Sequence, residues 1–228
     1  MSSPGGQPTG EPAALPDAVP QAVRATLLAT EHWSLLATRG TVWSEVMGRI
    51  SIHLTVASAS LVVLALVTQA SGFGTPFKVL SIGLSSAVLV LGTLTAVRVH
   101  NATVDDLALV IGMNRLRAAY VEMDPTLADY LVTSWHDDRA GLMTTYTMGR
   151  RPVASHRLGS TTMFVNIVNT MVAGALGALI SDAAGARPAV VAIVGTISGM
   201  SYLAATIEAA RRTYARPAID ARFPSPGN

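Results

Sequence analysis

Four long stretches of this chain carry no formally charged side chain. Residues 50–77 run for 28 positions without one, 79–97 for 19, 158–181 for 24 and 188–207 for 20. A helix rises about 1.5 Å per residue, so about 20 residues cross a hydrocarbon core about 30 Å thick. Each stretch meets or nearly meets that length, and each is rich in Val, Leu, Ile and Ala, which cost little in lipid. Soluble helices buried to this extent would need a large amphipathic shell, and 228 residues leave too little chain to build one. Composition agrees: 13% of residues are charged, against about 25% in an ordinary soluble domain. The sequence therefore predicts an all-α fold, a four-transmembrane-helix bundle with spans near 50–71, 79–97, 162–181 and 189–207.

Short connections at 72–78 and 182–188 pair the spans into two hairpins. Fourteen of the sixteen basic residues lie outside the hairpin tips, which hold only Lys78 and Arg187. Arg24, Arg39 and Arg49 precede the first span. Arg98, Arg115, Arg117, Arg139, Arg150, Arg151 and Arg157 fill the middle connection, and Arg211, Arg212, Arg216 and Arg222 follow the last span. Basic residues in short flanking segments stay inside, so both termini and the middle connection are expected in the cytoplasm. Fifteen of the sixteen basic residues are arginine, a bias expected of GC-rich coding as in actinobacteria. The expected location is a bacterial plasma membrane.

This divides the chain into a disordered, Pro- and Gly-rich tail at 1–20 and a cytoplasmic or interfacial helix at 21–48. Transmembrane hairpins follow at 49–98 and 158–208, with a cytoplasmic helical connection at 99–157 and a cytoplasmic tail at 209–228. The first uncharged run begins too late for a secretory signal. Within 21–48, Val23, Leu27, Leu28, Leu35 and Leu36 recur at helical spacing. That segment is expected to lie along the cytoplasmic membrane surface and then run into the first span, with Trp33 and Trp43 on one face and bends at Gly40 and Gly48. Thr103 and Asp106 read as a fresh helix start. Asp124-Pro125 reads as a second start, carrying a helix to about Thr133. Residues 137–149 read as a third, weaker helix.

The chain has no cysteine, which removes disulfides, thiolate metal sites and cysteine nucleophiles. No Gly-rich phosphate loop, nucleophile elbow or zinc-binding helix motif occurs. A net charge of +2 with no basic block gives no nucleic-acid surface. His136, Asp137 and Asp138 form the densest polar cluster; they read as a divalent-cation site or, more simply, as a turn in which a carboxylate caps the next helix. His53 sits one turn inside the first span, where an ionisable group is suspect by default. Asn166 and Asn169 share a face of the third span and read as a polar path or as interhelical glue. Gly174 and Gly177, with Gly195 and Gly199, form small faces for close packing, either within one chain or between copies.

The strings EHWSLLATR (31–39), GMNRLRAAY (112–120) and TSWHDD (133–138) resemble a group of uncharacterised actinobacterial four-helix integral membrane proteins. That resemblance implies the same membrane architecture; the family has no assigned activity, so it supplies no catalytic residue. The expected function is non-enzymatic and needs no cofactor: a small self-associating membrane scaffold or sensor. The partners are the lipid bilayer and further copies of the chain. The alternative is an oligomeric ion channel or small transporter using His53, Asn166 and Asn169.

Overall fold

The computed structural model describes residues 19–148, 152, 159–214 and 220–226. Its elements are α1 (Gln21–Ser71), α2 (Thr75–Met123), a 3-10 helix (Pro125–Tyr130), α3 (Arg139–Thr147), α4 (Thr161–Ala183) and α5 (Pro188–Tyr214). The fold is all-α, and no strand occurs among the described residues. Four helices, α1, α2, α4 and α5, are long and apolar enough to cross a membrane. Only 11–22% of the residues in their apolar windows are buried within the protein. Leu61, Leu66, Val90, Leu94, Met171 and Ile197 are among the large side chains left uncovered, a surface suited to lipid. The chain is a multi-pass membrane protein.

The turns follow from local chemistry. Gly72 ends α1 with φ of 62°, a left-handed value that favours glycine, and its N–H donates to the Thr68 carbonyl. Pro76 sits in the first turn of α2 and Pro188 opens α5, where a missing N–H costs nothing. Lys78 Nζ meets Asp182 Oδ2 at 2.8 Å, so the two hairpin tips lie together. The opposite end gathers the outer part of α1, the middle connection and residues 220–226 into one extramembrane layer.

Inside the membrane portion α4 and α5 pack backbone to backbone. A Cβ placed on Gly195 would lie 3.0 Å from the Gly174 carbonyl, and one on Gly199 would lie 3.0 Å from the Thr170 carbonyl. A Cβ on Gly177 would strike the Ser198 hydroxyl. All four small-face glycines are thus spent within one chain, and a contact between copies would need another face. Val46, Ile50, Val99, Ala102 and Val165 join α1, α2 and α4 where the bundle meets the layer. Val110, Met113 and Leu142 form a second core outside it, with Leu35, Leu107, Ile111 and Tyr146 packed around them.

Several sequence expectations are corrected. Residues 21–48 run into the first span as expected, in one helix of 51 residues, but they pack along α2 rather than lie along the membrane surface. The reason is a partner. α2 runs on to Met123, well past the span, so Leu35 of α1 packs against α2, while Val23, Leu27 and Leu36 of the same stretch stay exposed. No break occurs at Gly40 or Gly48; a helical glycine costs only about 1 kcal/mol, which tertiary packing overrides. Thr103 and Asp106 do not start a helix; both lie inside α2, where Thr103 Oγ1 returns to the Val99 carbonyl at 2.9 Å. The domain boundary at 98/99 therefore falls mid-helix. Trp33 and Trp43 do not share an environment, because Trp33 is 71% exposed whereas Trp43 reaches into the layer. Asp124 does cap the next element, accepting from Thr126 N, but that element is a 3-10 helix that stops at Tyr130. α5 extends the last span to Tyr214, into the segment assigned to the tail. Residues 1–18 of the expected disordered tail, and Arg150, Arg151, Arg157 and Arg216, lie outside the described residues.

The α4–α5 seam gives a direct test. Gly195→Ile should cost about 1–3 kcal/mol, as overpacking does, and lower the thermal midpoint in detergent. Gly83→Ala, where a Cβ meets nothing within 4 Å, should leave the midpoint equal or slightly higher. Equal midpoints for both variants would contradict the seam.

Candidate functional site

The extramembrane layer is organised around a carboxylate. Asp106 is 2% exposed and sits on α2 facing α1. Arg39 and Trp43, four residues apart, share a face of α1. Arg39 Nε donates to Asp106 Oδ1 at 2.6 Å and the Trp43 indole N–H donates to the same oxygen at 2.9 Å. Tyr146 of α3 donates its hydroxyl proton to Oδ2 at 2.8 Å. Burial pushes this carboxyl up, but the hydrogen bonds from Arg39, Trp43 and Tyr146 outweigh it and hold it below the usual carboxylate range. One acid thus ties three helices together. Closer to the membrane, Glu45 lies between Arg98 and Arg49, whose guanidinium groups hold it down at about 2.

A second cluster gathers around Asn114, which is fully buried. Its Nδ2 donates to the His136 carbonyl at 2.7 Å, and its Oδ1 accepts from Arg117 Nη1 at 2.8 Å and Thr145 Oγ1 at 3.2 Å. Arg115 Nε donates to Asp137 Oδ2 at 2.7 Å, and its Nη2 donates to the Asp220 carbonyl at 2.6 Å. Asp137, also fully buried, accepts the backbone N–H groups of Arg222 and Phe223 at 3.0 and 2.8 Å. Its own N–H donates back to the Phe223 carbonyl. Arg115 and these two N–H groups outweigh burial and keep the Asp137 carboxyl low. Asp138 caps α3 through Gly141 N and accepts both N–H and Oγ–H of Ser225 at 2.9 Å.

The three polar neighbours picked out by sequence therefore do separate work. Asp138 caps α3, and Asp137 and Asp138 together clasp residues 220–225. His136 turns its ring against Trp135, with centroids 4.9 Å apart, and its Nδ1 is buried without a hydrogen-bond partner. Among the described residues no group of three or more His, Asp and Glu side chains is placed to hold a metal ion. A Cβ at Gly141 would strike the His136 carbonyl, so only glycine lets α3 start this close to the motif.

Within the membrane, His53 of α1 and Asn169 of α4 are buried side by side against Gly92 of α2. Asn169 Nδ2 donates to the Tyr202 hydroxyl of α5 at 3.1 Å, and that hydroxyl pairs with Thr93 Oγ1 of α2 at 3.1 Å. All four spans contribute to this buried group. Both ring nitrogens of His53 and Oδ1 of Asn169 lack a hydrogen bond of good geometry. Asn166 lies one turn away, 8% exposed.

Sequence reasoning missed Asp106, Arg39, Trp43 and Tyr146 as one group, and Tyr202 as the partner of Asn169. The signal for Asp106 was present: an acid on the stripe of Leu107, Val110 and Asn114 that faces the core. The strings 31–39, 112–120 and 133–138 all meet in this layer. No protein-family model, curated protein or solved structure matches the chain.

Removing Asp106 leaves Arg39, Trp43 and Tyr146 without their acceptor, so Asp106→Ala should cost about 3 kcal/mol or more, read as a lowered thermal midpoint. The pH dependence has a definite sign. Asp106 and Asp137 titrate lower in the fold than in the unfolded chain, at about 3.9. Their contribution is present above that value and is lost as pH falls through the folded values. The midpoint should decline gently below about pH 6.5, where the depressed His32 would have to take up a proton, and fall more steeply below about pH 4 as the two carboxylates protonate, with the steep part reduced in Asp106→Asn. Asp137→Ala should release residues 220–226, so that trypsin cuts after Arg222 about ten-fold faster while the spans stay folded.

Proposed function

We propose that this chain is a non-enzymatic scaffold or sensor of a bacterial plasma membrane, self-associating, with both termini in the cytoplasm. The observation that carries the reading is continuity. α1 and α2 run unbroken from the Asp106 layer into the bilayer, so an event at the layer is transmitted along two rigid rods. The layer's polar groups are spent on holding segments together: Asp106 on three helices, Asp137 and Asp138 on residues 220–225. The excess of arginine at the layer end supports placing that end inside. Val23 and Leu27, exposed on the part of α1 beyond the spans, support contact between copies.

The channel reading gains less support. A path needs polar groups that face a lumen, whereas Asn169 and His53 are sealed in the core of a single chain. Liposomes containing the purified protein should pass ions no faster than empty ones. Flux abolished by Asn166→Ala with Asn169→Ala would establish the channel instead. Orientation is tested with reporters fused after Asn228: a fluorescent protein should glow, and a phosphatase active only outside the cytoplasm should stay silent. An active phosphatase would reverse the assignment. In nanodiscs the protein should elute as a defined multiple of 23.7 kDa; a monomer would remove self-association.

A further inference from the structure

Four arginines among the described residues are half-buried: Arg39, Arg98, Arg115 and Arg117. Three have a carboxylate within hydrogen-bond distance, at 2.6 Å for Arg39, 2.7 Å for Arg98 and 2.7 Å for Arg115. Arg117 has none among the described residues; one N–H goes to Asn114 Oδ1. A guanidinium carries five donors. Withdrawing a cation from water without a counter-ion is unfavourable, and a purely structural arginine here would have an acid, as its three neighbours do. Arg117 is instead held in place by an amide, with its charge unspent.

An open groove of about 230 Å³ lies one turn further along α2, lined by Ala29, His32, Trp33, Leu36 and Tyr120, with Arg117 just outside its lining. Tyr120 is three residues from Arg117 and so on the same face of α2. The His32 ring stacks on Tyr120 at 6.0 Å, and Trp33 stands 71% exposed at the edge. Burial lowers the His32 pKa, and the nearby Arg117 guanidinium lowers it further. Twenty positions separate Arg117 from Val97, or about 30 Å along the helix, too far for a lipid headgroup to reach.

We propose that this groove binds a small soluble anion bearing a planar ring, with the ring against Trp33 and Tyr120 and the phosphate or carboxylate on Arg117. Aromatic faces accept any flat ring, and Arg favours phosphate and carboxylate oxygens through paired hydrogen bonds. At about 230 Å³ the groove is smaller than most ligand cavities, which leaves room for one ring system. The site depends on neither the scaffold reading nor the orientation of the chain.

The test uses the full chain in zwitterionic nanodiscs with AMP as probe, read by tryptophan fluorescence and by equilibrium dialysis. AMP should quench saturably in the millimolar range or tighter. Adenosine and inorganic phosphate should each bind at least about ten-fold more weakly, as should AMP to Arg117→Gln, a ten-fold loss being about 1.4 kcal/mol. Trp33→Phe should remove most of the quench while dialysis still detects binding. No saturable AMP binding, equal binding by adenosine, or unchanged binding in Arg117→Gln would overturn the proposal. The thermal midpoint of Arg117→Gln separates the roles: it should equal or exceed that of the unaltered protein, because an unpaired cation is lost. A clear drop would make Arg117 structural and would also overturn the assignment.

Discussion

In hydrocarbon no backbone polar group can go unpaired, and the architecture of this chain follows from that constraint. Each uncharged run has to be helical. Each hairpin has to turn within a few residues, which places Gly72 at a left-handed φ and proline in the first turns. Helices in lipid gain nothing from hiding apolar surface from one another, so close packing replaces that drive. The α4–α5 seam is built on glycine for this reason. Polar side chains within the spans must satisfy one another, and Asn169, Tyr202 and Thr93 do so.

Beyond the bilayer the rules reverse, and charge becomes the fastener. Asp106, buried and supplied with donors from Arg39, Trp43 and Tyr146, fixes α1, α2 and α3 in register. Asp137 does the same for Arg222 and Phe223, 85 and 86 positions away in sequence. Both acids are deprotonated well below neutral pH, so these fasteners are constant across physiological conditions. Arg117 departs from this scheme as a half-buried cation without an acid among the described residues, and that departure singles out the groove next to it.

The membrane part was legible because charge-free length is a one-dimensional signal: 158–181 and 188–207 overlie α4 and α5. The caps at Asp124 and Asp138 were legible because capping is local. The layer was not. The stripe of Leu28, Leu35 and Leu36 reports an apolar face but not what it faces, and bilayer and α2 offer the same invitation. Asp106 follows Thr103 at the spacing of a helix start, and only the three-dimensional position of Arg39 shows that its carboxylate is a crosslink. The clasp of Asp137 on Phe223 uses backbone N–H groups, which every residue carries, so no side-chain pattern could announce it.

The absence of native cysteine allows the continuity of α1 to be probed residue by residue. Single substitutions Ser34→Cys, Ser44→Cys, Ser58→Cys and Ser71→Cys, challenged with a membrane-impermeant maleimide, sample one helix from layer to tip. The account predicts labelling of the first two from one side of the membrane only, protection of the third, and labelling of the fourth from the opposite side only. Rapid labelling at Ser58→Cys, or labelling of Ser44→Cys and Ser71→Cys from the same side, would contradict it.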